Sequence, residues 1–192
     1  MQKKEIQTFC PKNQAEWREW LQKNHVSEQS VWLVYYKKKS GLSSLSWSQA
    51  VDEALCFGWI DSTARPIDDE KYMQFFSKRK ATSVWSKVNK EKVKRLLDAK
   101  LIAPAGLTII EIAKQNGSWT ILDEIEELII PKDLEKEFKT KKGSKDFFLS
   151  LSNSVKKAIL QWLVLAKRPE TRQKRITEIV DLASKKMKPK QF

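Results

Sequence analysis

The sequence predicts an α+β fold, in which a small antiparallel or mixed sheet covered by helices is followed by an all-helical C-terminal part ending in a helical hairpin. The first half of the chain alternates helical and extended patterns in the order helix, strand, helix, strand, strand. After Ser86 only helical periodicity is present. We therefore expect two domains, an α+β Trp-rich domain over residues 1–130 and a basic helical C-terminal subdomain over residues 131–192.

The first predicted helix starts at an N-cap, Asn13, because Trp17, Trp20 and Leu21 follow it on one helical face. Residues 31–36 are β-branched and aromatic, and they are too few for a helix. They predict the first strand.

A second helix is predicted behind Ser46, which forms a capping-box pattern with Gln49. It should end at Gly58, because glycine suits the left-handed position that follows a helix. Extended residues on both sides of Asp68-Asp69 then predict a β-hairpin. The apolar stripe of this second helix is Trp47, Ala50, Val51, Ala54 and Leu55.

The second half of the chain carries a series of helix starts and stops. Ser86 and Pro104 each suit the beginning of a helix, and a short helix is expected near residues 134–138. The basic segment 139–145 contains a glycine and predicts a loop. The closing hairpin is predicted from a cap at Ser154, from Pro169 in a first turn, and from an apolar stripe: Ile176, Ile179, Val180, Ala183 and Met187.

Charge and tryptophan are distributed unevenly along the chain. The net charge is +13, and residues 132–192 hold 17 Lys+Arg against 7 Asp+Glu, a surplus of +10. Seven of the eight tryptophans precede Pro131. A basic balance of this size favours an anionic partner such as nucleic acid, a phosphorylated metabolite or an acidic surface. The alternative is a lysine-rich protein whose charges are only solvated.

Cysteine and histidine content limits the chemistry that we expect. Cys10 and Cys56 lie far apart and predict reduced thiols, and one histidine with two distant cysteines does not make a zinc site. No glycine-rich phosphate loop is present, so we expect no cofactor. Residues 1–5 precede no apolar stretch, and no apolar run is long enough for a membrane span. We expect a cytoplasmic protein.

One group of polar and aromatic residues is a candidate ligand pocket. A helix end, a strand start and the strand after the hairpin would bring together carboxylate, guanidinium, amide and indole groups. In the alternative interpretation these groups are architectural, with Arg79 paired to Glu53 or Asp61. The candidate pocket residues are Glu53, Trp59, Asp61, Arg79, Trp85 and Asn89, next to Gly58.

A second group is basic and lies around the start of the last helix. Arg168, Arg172 and Arg175 are spaced to share one helical face, where guanidinium groups suit phosphate oxygens. The alternative is a solvated face with ion pairs to acidic residues such as those at 123–127. The anion-binding candidates are Lys167, Arg168, Arg172, Lys174 and Arg175.

Five stretches of the chain resemble one family. They are residues 31–38, 50–62, 76–80, 83–89 and 166–176. Together they are similar to the YdeI/OmpD-associated bacterial proteins, also called bacteriocin-protection proteins. The resemblance runs from about Trp17 to about Lys186, and its most specific parts are Gly-Trp-Ile-Asp at 58–61 and Lys-Arg-Pro-Glu-Thr-Arg at 167–172. It implies protection against stress or antimicrobial peptides and association with an outer-membrane porin, and it implies no reaction.

The leading interpretation is a non-enzymatic, cytoplasmic binding or stress-protection protein with a basic, anion-binding surface. One alternative is a small-molecule enzyme in which Glu53 or Asp61 acts as general acid or base. The other is a nonspecific nucleic-acid binder, whose affinity would fall steeply with salt.

Overall fold

The computed structural model describes residues 6–42 and 45–192 and divides the chain into two compact units. Unit 1 extends through Trp119, and unit 2 comprises residues Thr120–Phe192. The boundary expected at residue 130 from the sequence stays a prediction. The expectation that no signal peptide begins at residues 1–5 lies outside the described residues.

Unit 1 contains a four-stranded mixed sheet with helices, which confirms the α+β fold class. The strand order is β1-β2-β4-β3; β2 and β3 each run antiparallel to β4, and β1 runs parallel to β2. Strand β1 is only two residues long and was not predicted. The elements are β1 (Thr8–Phe9), α1 (Gln14–Asn24), β2 (Ser30–Tyr36), α2 (Trp47–Cys56), β3 (Trp59–Pro66), β4 (Lys71–Lys78), α3 (Lys87–Asp98) and α4 (Pro104–Gln115), with a short 3-10 helix at Lys38–Ser40.

The helix starts of unit 1 follow the predicted caps. The Asn13 side chain accepts a hydrogen bond from the Glu16 N–H at 3.0 Å, and Ser46 forms a capping box with Gln49. Helix α2 ends next to Gly58, whose φ of +73° is a conformation that glycine adopts without strain. Local side-chain chemistry therefore fixes where α1 and α2 begin and where α2 stops.

Aromatic rings fill the centre of unit 1. Trp17 is fully buried and stacks on Trp20 at 5.2 Å between ring centroids, and its edge contacts Phe76 at 5.5 Å. The Trp17 indole N–H donates to the Ala50 carbonyl at 3.1 Å, so that α1 is joined to α2. Trp47 was expected in the buried stripe of α2, but its side chain is 48% exposed and bonds to Asp61 instead.

Helices α2 and α4 approach each other at Gly106. The Ala103 N–H donates to the Cys56 carbonyl at 3.0 Å, and a Cβ added to Gly106 would lie 2.3 Å from that same carbonyl oxygen. Only a residue without a side chain permits this contact, which holds α4 against the end of α2.

Strand β3 forms one edge of the sheet. Its pairing with β4 is interrupted by an irregularity between Asp61 and Ala64, and residues 62–66 at its outer end are exposed. The last two residues of β3 are Arg65 and Pro66.

Unit 2 is entirely helical in its described elements. They are α5 (Asp123–Glu126), α6 (Lys132–Phe138), α7 (Ser144–Ser150), α8 (Asn153–Val164) and α9 (Pro169–Ser184). Helix α9 packs against α8, which confirms the closing hairpin, and also against α6 and α7. Among the described residues, no helix is both long and apolar enough to cross a membrane.

Three sequence-based expectations for unit 2 are corrected. The cap of α8 is Ser152, which accepts from the Val155 N–H, whereas Ser154 lies inside the first turn. The basic loop was expected to reach residue 145, but it ends at Gly143, the N-cap of α7, because α7 begins at Ser144. Met187 lies beyond α9 and is 53% exposed, so it is not part of the buried stripe.

Candidate functional site

A cavity of about 280 Å³ opens beside Gly58, at the end of α2 and the start of β3. The ends of α1, α2 and β4 and the first turns of α4 contribute its walls. The lining residues are His25, Val26, Phe57, Gly58, Lys78, Arg79, Ala105 and Ile109. Three of these side chains carry nitrogen donors, and the rest of the wall is mainly apolar.

Arg79 follows β4 directly and has an unusual environment for a guanidinium group. The residue is 6% exposed, and its guanidinium carbon lies 3.6 Å from the centre of the Trp85 ring. Its Nη1 donates to the Val84 carbonyl at 3.2 Å, and its Nε has no hydrogen-bond partner among the described residues. Burial lowers the pKa of Arg79 to about 10, although the negative charge of Asp61 acts in the opposite direction.

The two other nitrogen-bearing side chains at the cavity are held by backbone carbonyls. Lys78 Nζ donates to the Val26 carbonyl at 2.7 Å. His25 caps the end of α1, and its Nδ1 lies 2.8 Å from the Leu21 carbonyl, so that this nitrogen carries the proton. Neither residue was a sequence candidate for a pocket. The only available signals were the position of His25 at a predicted helix end and of Lys78 next to Arg79.

The carboxylates proposed for the same pocket bond elsewhere. Glu53 is 4% exposed and accepts from Arg18 at 2.6 Å and from Gln14 at 2.6 Å. Asp61 accepts from Trp47 at 2.9 Å and from the Gln74 side chain at 3.0 Å. Neither carboxylate accepts a hydrogen bond from Arg79, and neither lines the cavity. The structure therefore separates Glu53 from Arg79.

The remaining pocket candidates, Trp59, Trp85 and Asn89, contact the protein core or a helix cap and do not line the cavity. Trp59 is fully buried, and its indole N–H has no partner among the described residues. Trp85 is 1% exposed and contacts Arg79 and the ring of Trp119. Asn89 donates its backbone N–H to the Ser86 cap at the start of α3. The structure thus brings Arg79 and Trp85 together and leaves Asn89 at a helix start.

The basic candidates on α9 divide into two groups. Arg172 binds both carboxylate oxygens of Asp133, with Nε–Oδ2 at 2.5 Å and Nη2–Oδ1 at 3.0 Å. This pair lowers the pKa of Asp133. Arg175 stacks over Trp162 at 4.7 Å and donates to its carbonyl. Lys167, Arg168 and Lys174 are exposed, and they are the candidates that remain open to a partner.

Cys56 lies at the end of α2 and is buried, whereas Cys10 is exposed; both are free thiols. Burial, followed by the charge of Glu53, raises the pKa of Cys56 to about 11. Within residues 6–42 and 45–192, no group of three or more His, Cys, Asp or Glu side chains is placed to hold a metal ion.

The cysteine environments predict a simple thiol titration. Because the thiolate is the reactive form, Cys56 should not react at pH 8 and Cys10 should. An aromatic disulfide reagent should titrate one thiol per native chain and two per chain unfolded in guanidinium. The variant Cys10→Ser should titrate none when native. Rapid reaction of two thiols in the native protein would contradict the sealed position of Cys56.

Comparison with known families gives a match for each part of the chain. Residues 9–109 match the model of a domain of unknown function (DUF8412). Residues 127–186 match the family described as bacteriocin-protection, YdeI or OmpD-associated. No curated protein and no solved structure matches the chain. The resemblance seen in the sequence is thus confirmed at the C-terminal part, whereas the Gly58-Trp59 stretch belongs to the other match.

Proposed function

The chain belongs to the DUF8412 family, and we propose that it is a non-enzymatic cytoplasmic binding protein that acts in bacteriocin protection through a basic surface on unit 2. The observation that carries this proposal is the coincidence of two features in the same segment. The bacteriocin-protection match covers residues 127–186, and the surplus of +10 lies in residues 132–192.

The basic surface is assigned to the exposed cations Lys167, Arg168 and Lys174. Arg168 is the N-cap of α9 and makes no side-chain cap bond, so its positive side chain stands at the positive end of the helix dipole, where Glu170 is the acidic residue of the first turn. Like charges in this position repel each other, and an anion bound there relieves the repulsion. Arg172 and Arg175 are not counted in this surface, because Arg172 is paired with Asp133 and Arg175 is stacked on Trp162.

The positive net charge of the protein favours one mode of protection, binding to anionic cell components, over direct capture of a cationic peptide. A protein of net charge +13 repels a cationic bacteriocin, so direct capture of such a peptide is disfavoured. Binding to anionic cell components is favoured, and it shields the groups that a cationic peptide would otherwise reach. The proposed partner is therefore a polyanion, bound without sequence preference.

Binding is tested with a fluorescein-labelled 20-base-pair DNA duplex and with long-chain polyphosphate as probes. Affinity should fall steeply between 50 and 200 mM salt. The triple reversal K167E/R168E/K174E should reduce the slope of log K against log salt by about 2 to 3, since each lost phosphate contact accounts for about 0.9. The matched control K80E/K87E/K94E, on exposed lysines of unit 1, should change the slope less.

Two results would overturn the assignment. Affinity that stays flat as salt rises would exclude polyanion binding. Equal effects of the two triple variants would show that net charge alone is responsible and that the α9 surface has no special role.

Protection itself is tested by survival of bacteria that produce the protein during exposure to a cationic bacteriocin. Cells with the natural chain should survive better than cells with the α9 triple variant at equal protein levels. Equal survival would separate anion binding from protection and refute the link between them.

A further inference from the structure

We propose that the cavity beside Gly58 in unit 1 is a binding site for a small oxyanion, a carboxylate or a phosphate monoester that carries a short apolar group. The Arg79 guanidinium is the main anion-binding group, and Lys78 is the second. This site is independent of the basic surface on α9.

Arg79 is buried without a hydrogen-bonded carboxylate partner. A charged side chain that is 6% exposed normally has a carboxylate partner, because burying an unpaired charge is costly. Here the guanidinium has one carbonyl partner, Val84, and an unpartnered Nε among the described residues. The nearby carboxylate of Asp61 accepts from Trp47 and Gln74, both at Oδ2, and accepts no hydrogen bond from Arg79. Because Nε is itself buried, the donors of Arg79 that remain for an external acceptor are those of its terminal Nη nitrogens.

The Arg79 side chain is held in one position by its neighbours. Its ring contact with Trp85 and its bond to the Val84 carbonyl hold the guanidinium plane in place. A fixed guanidinium fork matches the two oxygens of a carboxylate or phosphate. Since the group is already ordered, binding requires little loss of side-chain entropy.

The other charged groups around the cavity also favour an anion. Lys78 adds a second cation, and Ala105 places the uncapped first turn of α4 at the wall, where the helix dipole favours an anion. Two carbonyls of residues that line the cavity already accept hydrogen bonds: Val26 accepts from Lys78, and Gly58 accepts from the Arg79 N–H at 2.9 Å. The charged side chains that line the cavity, Lys78 and Arg79, are both cations.

Size and wall chemistry define the class of ligand. A volume of about 280 Å³ admits a molecule of a few non-hydrogen atoms up to a substituted ring. Val26, Phe57 and Ile109 supply the apolar part of the cavity wall. A molecule with one oxyanion and one small apolar part complements both surfaces.

The proposal is tested by calorimetric titration with three probes that share a benzene ring. Benzoate and phenyl phosphate should bind and raise the melting temperature, and neutral benzyl alcohol should not. Absence of binding by both anions, or equal binding of benzyl alcohol, would overturn the proposal.

Three variants locate the site. Arg79→Met should fold, because methionine is apolar and removes an unpaired buried charge, and it should lose benzoate affinity by about tenfold or more. Lys78→Met should weaken binding less, and Ile109→Trp should block the cavity while leaving both cations in place. Lys80→Met is the matched control on the adjacent exposed lysine, and its affinity should not change.

The stability of the ligand-free variants separates a binding arginine from an architectural one. Arg79→Met should melt at the same temperature as the natural chain or higher. Unchanged benzoate affinity in a folded Arg79→Met or Ile109→Trp variant would refute the site. If Arg79→Met does not fold, Arg79 is structural, and the assignment of the guanidinium as the anion-binding group fails.

Discussion

Replacing Trp17 by alanine is expected to lower the free energy of unfolding by about 3–5 kcal/mol, the cost of deleting a large buried aromatic side chain. Trp17 is fully buried, contacts Trp20 and Phe76, and bonds to the Ala50 carbonyl. The substitution creates a cavity between α1, α2 and the sheet and removes the indole hydrogen bond to the Ala50 carbonyl. Because domains are stable by only about 5–15 kcal/mol, this single change should leave unit 1 marginal.

The measurement is a urea titration followed by far-ultraviolet circular dichroism. Trp47→Ala is the matched control, because it deletes the same atoms from a side chain that is 48% exposed. Its expected loss is about 1 kcal/mol, from partial burial and the bond to Asp61. Similar losses in the two variants would contradict the position of Trp17 as the centre of the core.

Gly106→Ala should destabilise the protein by about 1–3 kcal/mol or more, although alanine is the better helix former. In an exposed helix the same change would stabilise by about 1 kcal/mol. Here the new Cβ would meet the Cys56 carbonyl at 2.3 Å and Ile102 Cγ2 at 2.8 Å, so α4 has to move away from α2. The sign of the effect therefore tests the close contact of the two helices.

Urea unfolding supplies the measurement for this variant as well. Thr108→Ala, at an exposed position of the same helix, serves as the control and should change stability little. Unchanged or increased stability of Gly106→Ala would show that the two helices have room between them.

Local signals explain why most elements were predictable. Caps such as Asn13, Ser46 and Ser86 act within three residues, and the sequence displays each partner directly. The cap of α8 was misplaced because Ser152 and Ser154 both suit the position, and helical periodicity does not distinguish them. Strand β1 is too short for any periodic pattern.

Long-range pairing explains what could not be predicted at the site. Glu53 selects Arg18, which lies 35 residues earlier, and Arg172 selects Asp133 rather than the acids at 123–127. Neither ion pair can be inferred from residue spacing or composition. The contact of Arg79 with Trp85 could be predicted, because the two residues are close in sequence. The contribution of α4 to the cavity depends on how Gly106 packs.

The broken edge of the sheet has a consequence for the behaviour of the protein at high concentration. Unpaired backbone groups on an outer strand can recruit a neighbouring chain and start an amyloid-like assembly. Strand β3 is irregular between Asp61 and Ala64 and ends in Arg65 and Pro66, a cation and a residue without an N–H donor. Strand β1, at the opposite edge, offers only two residues. The β-sheet of unit 1 is thereby protected against homotypic aggregation while its buried face remains intact.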